Sequence, residues 1–483
     1  MTTSDQARAN GGAPQPSGAA RPPSVERLLA AARPRLGDRD HEAIVVVARE
    51  VVAAERERLG GGAAARGLEA LAVDLVDRLT GFDGPPATEA ADDSAGGPTR
   101  VINATGVLLH TNLGRAAWPA AAIRAAAAAA AGPSLLELDR ATGRRGPRSR
   151  VVEEHLIALT GAEDAFVTNN NAAALALSVG LAGRGGRVIV SRGELVEIGG
   201  GVRIPDVIRR AGARLVEVGT TNRTRVEDIE GALADGGARL VLRVHQSNFV
   251  QSGFVESPDP AGVAEGAHRH GAIVVDDLGS GALLATESFG LAHEPTPRER
   301  LAAGADLVTF SGDKLVGGPQ AGLVVGRADL IKRLRRDPLA RAMRPDKTTT
   351  AAVAATLALY RGGRAAHEIP LWRMVATPLE ELRARAERVV GATGLAGAAD
   401  RVAVAQLRST LGGGSFPGET LPSWGVAVEA RSADRMAAAL RAGEPAVIAR
   451  IEDGHVVLDL RTVEPGDDAA LADAIARALA SVG

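Results

Sequence analysis

Only three of the chain's 56 basic residues are lysines, Lys314, Lys332 and Lys347; the other 53 are arginines. The difference is chemical, because a lysine amine can lose its proton and condense with a carbonyl, whereas a guanidinium keeps its charge. Lys332 sits in the charged run DLIKRLRRD, which reads as a solvated helix face. Lys314 ends Ser311-Gly312-Asp313-Lys314, just past an apolar run and ahead of Gly317-Gly318-Pro319-Gln320. A chain that uses arginine for nearly every cation points to Lys314 as a required amine. Asp276 and Asp277 follow a second apolar run. Asn169-Asn170-Asn171 follow a third and open a helical stretch, where amides and free backbone N–H groups make an anion site, although an ordinary N-cap has the same sequence. An amine, an acid and an anion cradle are together what pyridoxal phosphate requires: a lysine for its imine, a carboxylate to keep the ring nitrogen protonated, and donors for the phosphate. Either aspartate fits the second part.

Other ligand classes lack their residues. No G-x-G-x-x-G follows a strand-like run and opens a helix, and no G-x-x-x-x-G-K-[ST] occurs. His268 and His270 stand two apart on a helical stretch, where they do not share a face. The chain has no cysteine, which removes disulfides, thiolate metal ligands and a thiol nucleophile. No metal site is expected. Aromatics make up 2% of residues, too few for a surface that interleaves them with bases, and the formal charge of −2 gives no overall basic field.

The candidate residues stand at the ends of alternating elements. Strand-like runs at 165–168, 187–191, 214–218, 240–244, 272–275 and 307–310 are separated by helical stretches at 172–181, 204–211, 226–233 and 261–270. That alternation predicts an α/β fold with a mostly parallel sheet, whose ligand sits past the carboxyl ends of its strands. The spacing predicts a large domain over 100–375 and a smaller C-terminal α/β domain over 376–483. Helical periodicity also predicts three helices within 24–83, beginning at the capping residue Ser24, and 84–99 has linker composition. Residues 1–23 hold no apolar stretch and read as a disordered tail, not a signal peptide. The alanine-rich run 116–131 is too weakly hydrophobic to span a bilayer and reads as a soluble helix. A cytoplasmic protein is expected.

With these residues in place, the chain resembles the bacterial selenocysteine synthases, the L-seryl-tRNA(Sec) selenium transferases of fold type I. The matching stretches are INATGVLLHTNLGRA (102–116), NNNAAA (169–174), SRGELVEIGG (191–200), EVGTTNRT (217–224), HQSNF (245–249), DLGSGAL (277–283), SGDKLVGGPQAG (311–322), LARAMRPDK (339–347) and STLGGGSFPGE (409–419). The resemblance implies that Lys314 carries pyridoxal phosphate and that Asp277, with Asp276 as the neighbour it is easily confused with, pairs with the ring nitrogen. It implies that Asn170 and Asn171 lie near the phosphate, that His245 and Asn248 lie near the ring, and that Ser311 lines the site. Thr220, Thr221 and Asp313 match active-site positions, and Arg115, Arg341 and Arg344 match arginines that bind the selenium donor. The implied reaction eliminates the hydroxyl of seryl-tRNA(Sec) through an aminoacrylyl-tRNA intermediate, then adds selenium from selenophosphate. The helical module over 24–83 would hold the tRNA, with no membrane or DNA partner, and the chain would self-associate as a dimer or a ring of dimers. Related folds without such a module act as lyases on small amino acids or amino-sugar acids, which is the rival expectation. Composition opposes the tRNA module, since residues 1–100 carry a net charge of −3, but Arg21, Arg27, Arg33, Arg35 and Arg39 cluster within it.

Overall fold

Ser24 and Asp40 start the first two helices by accepting backbone N–H bonds, from Arg27 at 3.3 Å and Ala43 at 2.9 Å. The helices are α1 (Val25–Ala32), α2 (His41–Gly60) and α3 (Leu68–Gly81). Their shared core is Leu28, Ile44, Val47, Val51, Leu71 and Leu75, apolar side chains at helical spacing. These helices belong to one compact unit, Met1–Arg100, and Val101–Gly483 forms the other. The structure is a computed structural model that describes residues 21–37, 39–81, 99–198, 201–247, 249–394 and 401–482. The tail expected over 1–23 and the linker expected over 84–99 lie almost wholly outside the described residues. Among the described residues no helix is long and apolar enough to cross a membrane.

The second unit is built on a seven-stranded sheet of β1 (Asp164–Thr168), β2 (Arg187–Ser191), β3 (Arg214–Val218), β4 (Ala238–Val244), β5 (Ile273–Gly279), β6 (Leu307–Ser311) and β7 (Gly322–Gly326). Its spatial order is β1-β7-β6-β5-β4-β2-β3. Neighbours pair in parallel except β7, which runs antiparallel to both β1 and β6. Strand β5 continues past residue 275, where the apolar run stops, through Asp276 and Asp277 to Gly279. The central strands β6 and β7 are buried along their whole length, as expected of a sheet covered on both faces.

A second sheet closes the chain: β8 (Val402–Thr410), β9 (Thr420–Val428), β10 (Arg450–Glu452) and β11 (His455–Asp459), antiparallel in the order β8-β9-β11-β10. Helices Leu379–Ala392 and Asp468–Val482 pack on it around Leu382, Val426, Leu458 and Ile475. The start of the unit is stitched to this sheet. Ile102–Asn103 pairs in parallel with Val447–Ile448, and the Leu108 and Leu109 N–H groups donate to the carbonyls of Thr410 and Leu411. That link brings the 409–419 glycine segment beside the segment that contains Arg115.

Candidate active site

Strand β6 ends at Ser311, and the chain turns at once. The Gly312 N–H donates to the Ala321 carbonyl, Leu315 N–H to Ser280 and Gly317 N–H to Lys314. Behind this turn stands the chain's one tyrosine. The Tyr360 hydroxyl is shared between the carbonyls of Leu315 and Val316, at 3.1 and 2.9 Å. The indole N–H of Trp372 donates to Tyr360 Oη at 2.7 Å and to Leu315 O at 3.0 Å. A chain so poor in aromatics spends two of them on holding the lysine loop rigid. Lys314 is buried, and burial lowers its pKa, with the positive charge of Arg115 acting the same way and Asp277 and Asp313 opposing. An amine so placed reaches the neutral, nucleophilic form more readily than a surface lysine. Lys332 is exposed, and Lys347 donates to the Gly132 carbonyl at 2.7 Å, so neither competes for that role.

Alternate residues of a strand face opposite sides of a sheet, and this separates the two aspartates. Asp277 lines the same cavity as Lys314, together with Ser311, Asp313 and Arg115. Its carboxylate accepts from Asn171 Nδ2 at 2.8 Å and Thr309 Oγ1 at 2.9 Å. Burial pushes its pKa up, while these two donors pull it down. Asp276 faces a second cavity, 3.6 Å from Arg300 Nε, alongside Arg243, Glu194 and Glu294.

Helix α4 (Asn171–Gly180) points its first turn into the Lys314 cavity. The Asn170 side chain is its N-cap, accepting from Ala173 N–H at 2.9 Å. Asn171 spends its amide nitrogen on Asp277, and its buried Oδ1 has no hydrogen-bond partner among the described residues. The anion-binding capacity here therefore lies in the backbone N–H groups of the first turn more than in the asparagine side chains. His245, just past β4, lines the cavity as a neutral ring: burial and the charges of Arg300, Arg243 and Lys314 push its pKa down to about 4. Arg115 holds a left-handed backbone conformation (φ 62°) and donates from Nη1 to Asp313 Oδ2 at 2.8 Å.

Other expected residues are not brought to this cavity. Thr220 and Thr221 stand in an exposed turn after β3, where Thr220 Oγ1 donates to the Arg223 carbonyl at 3.0 Å. Arg341 and Arg344 are exposed, with Arg344 Nη1 3.9 Å from Glu137 Oε1. Asn248 lies outside the described residues. Sequence reading missed Thr309, Ser247 and Gly414, because their relevance comes from sheet register and loop approach and not from residue type. A Cβ on Gly414 would stand 3.0 Å from Lys314 Nζ.

The family profile described as L-seryl-tRNA selenium transferase (SelA) matches residues 101–464. The chain belongs to this family. It is 43% identical over 447 residues to the L-seryl-tRNA(Sec) selenium transferase of Rhizobium meliloti (strain 1021), covering 91% of this chain and 93% of that one. Against the Moorella thermoacetica enzyme of the same name it is 48% identical over 384 residues, 78% of this chain and 81% of the other. Among solved structures, D-glucosaminate-6-phosphate ammonia-lyase superposes with a TM-score of 0.57 at 24% identity, over 79% of this chain and 96% of that one. The fold is that of the fold-type-I pyridoxal phosphate enzymes.

For a selenium transferase of this fold, the cavity's own groups fit pyridoxal phosphate. Lys314 offers a buried amine, Asp277 a buried carboxylate in the same cavity, His245 a neutral ring, α4 its N-terminal turn, and Gly414 leaves room beside the amine.

Proposed function

We propose that this chain converts L-seryl-tRNA(Sec) to L-selenocysteinyl-tRNA(Sec), removing the seryl hydroxyl by β-elimination and adding selenium from selenophosphate at the β-carbon. The observation that carries the reading is that the buried residues Lys314 and Asp277 line one cavity in a chain belonging to this family.

Bound pyridoxal phosphate supplies an electron sink for the carbanion formed at the seryl α-carbon. The residues of the chain do the rest. Lys314, its ammonium disfavoured by burial, is the base placed to take the α-proton. Asp277 would keep the ring nitrogen of that cofactor protonated, and α4 and His245, which line the same cavity, would help to hold it. Ser311 lines the same wall. Asp313, paired to Arg115, immediately precedes the lysine and places a carboxylate beside its amine. Arg115 offers a permanently cationic fork for a phosphate-like donor. The seryl carboxyl is esterified to tRNA, so the cavity needs no arginine for a substrate carboxylate.

Arg341 and Arg344 belong to the donor pocket by family resemblance; exposed and absent from the Lys314 cavity of their own chain, they would serve the site of a second copy. Thr220 and Thr221, exposed in one chain, fit the same arrangement. The α1–α3 unit carries the tRNA contact in this reading, and Arg27, Arg33 and Arg35 on its surface are exposed. The setting is cytoplasmic.

Gel shift with seryl-tRNA(Sec) against ordinary seryl-tRNA tests the substrate. Selective retention of seryl-tRNA(Sec), lost on removal of residues 1–84 without loss of the bound-cofactor absorbance, is the expected result. Equal binding of both tRNAs together with turnover of free serine would replace this reading with that of a small-molecule lyase.

A further inference from the structure

Thr309 and Asp277 are partners across the parallel pair β5–β6, with their side chains on the same face of the sheet. On the other flank, β4 sets Val244 beside Asp277, and valine has no donor to offer. The carboxylate therefore has one lateral hydroxyl, that of Thr309, which is fully buried. Thr309 Oγ1 donates to Asp277 Oδ1 at 2.9 Å. Asn171 Nδ2, reaching in from α4, donates to the same oxygen at 2.8 Å. Oδ2 accepts no hydrogen bond among the described residues.

Two donors on one oxygen do more than satisfy a buried charge. They fix the rotation of the carboxylate about its Cβ–Cγ bond, and they leave the other oxygen for a third donor. A β-branched side chain has few χ1 choices, so the hydroxyl is held in place before any ligand arrives.

We propose that Thr309 is a positioning residue for the cofactor: its hydroxyl, acting with the Asn171 amide on Oδ1, presents Asp277 Oδ2 to the protonated ring nitrogen. This rests on the pyridoxal phosphate reading of the cavity. Thr309 touches no substrate; it acts through Asp277. Without its hydroxyl the carboxylate has one anchor in place of two and swings toward Asn171, while burial favours its neutral form, which cannot hold the ring proton.

The test separates donor from filler. Thr309→Val keeps the shape and loses the hydroxyl; Thr309→Ser keeps the hydroxyl and loses a methyl. In full-length protein stripped of cofactor, affinity for added pyridoxal phosphate is read by absorbance across pH, and thermal unfolding is read without cofactor. Loss of a hydrogen bond to a charged group should weaken binding about tenfold in Thr309→Val. The same variant should shift the pH dependence of the bound-cofactor band, while its unfolding temperature without cofactor stays near wild type. Thr309→Ser should restore both the affinity and the pH profile. Wild-type affinity and pH profile in Thr309→Val, or equal loss in Thr309→Ser, would overturn the proposal and leave Thr309 a packing residue. If wild type itself binds no pyridoxal phosphate, the failure belongs to the reading of the cavity, because no variant is needed to see it.

Discussion

Arg115 and Asp313 are joined at 2.8 Å, and Asp313 immediately precedes Lys314 in the chain. The pairing needs an unusual backbone, since Arg115 sits at φ 62° directly after Gly114 in the left-handed region. A non-glycine residue in that region costs roughly 1–3 kcal/mol, retained where surrounding contacts enforce it. One cation thus neutralises the carboxylate beside the lysine and also disfavours the lysine's own charge.

Replacing that cation should make Lys314 harder to deprotonate. Arg115→Met removes a positive charge from the cavity and leaves the Asp313 carboxylate unpaired, and both changes stabilise the lysine's ammonium. The pH at which cofactor incorporation into stripped protein is half-maximal should rise. Stopped-flow absorbance across pH 6–10 checks this. An unmoved or lowered midpoint would show that Arg115 does not act on the lysine.

Gly414 should tolerate no side chain. It lies at φ 80°, and a Cβ there would meet Lys314 Nζ at 3.0 Å. Gly414→Ala should reduce cofactor occupancy, as Lys314→Ala should abolish the absorbance of the imine altogether. Ala substitution at Gly466, whose Cβ would meet nothing within 4 Å, is the control and should leave occupancy unchanged.

The parallel strands and the lysine loop were legible in the sequence because short apolar runs and glycine-rich turns announce themselves. Two things were not. Strand β7, GLVVG, is a five-residue run with a glycine at each end, which reads as loop until β1 and β6 are seen to pair with it. The sequence of strand β5 reads as ending at residue 275, because two charged residues look like a boundary; the sheet instead buries Asp276 and Asp277 and answers each with partners from distant segments. The same limit applies to the site. Lys314 is visible by its chemistry against a background of arginine, but Thr309 is an ordinary strand residue until register sets it beside Asp277. Asn171 has the right type in the right place, and its hydrogen bond to Asp277 turns its side chain to a different task.

His245 should make the fold sensitive to mild acid. Its pKa falls to about 4 in the folded protein against 6.5 for the free side chain, through burial and the nearby charges of Arg300, Arg243 and Lys314. Glu294 Oε1 stands 3.8 Å from its Nδ1. The unfolded chain takes up the proton first, so this contribution to stability is complete above pH 6.5 and is lost as pH falls from 6.5 to 4. A shift of this size corresponds to roughly 3 kcal/mol. Denaturant unfolding of cofactor-free protein should show a steeper pH dependence over that window in wild type than in His245→Gln. Parallel curves would place the histidine in a solvated environment.

In the α1–α3 unit, Glu55 plays the part of a buried keystone for the turn between α2 and α3. Arg66 donates to it from its backbone N–H at 2.9 Å and from Nε at 2.7 Å, and Arg58 Nε adds a third bond at 3.1 Å. The bond from Arg58, followed by those from Arg66, holds the carboxyl down to about 2. A carboxyl with a lowered folded pKa stabilises the fold above its unfolded value near 4.5, and that contribution fades as pH falls toward 2. Glu55→Gln keeps the shape but sets an amide N–H₂ against arginine donors, since an amide has only one accepting oxygen. At pH 7, trypsin should cut the variant faster at Arg58 and Arg66 than wild type, while the absorbance of bound cofactor in the rest of the chain is unchanged. Thermal unfolding of both proteins from pH 7 toward pH 3 should show the difference narrow, because below 4.5 the unfolded wild-type chain takes up a proton that the folded carboxyl does not. Equal cleavage at pH 7 would mean that the helical turn is held by its apolar core alone.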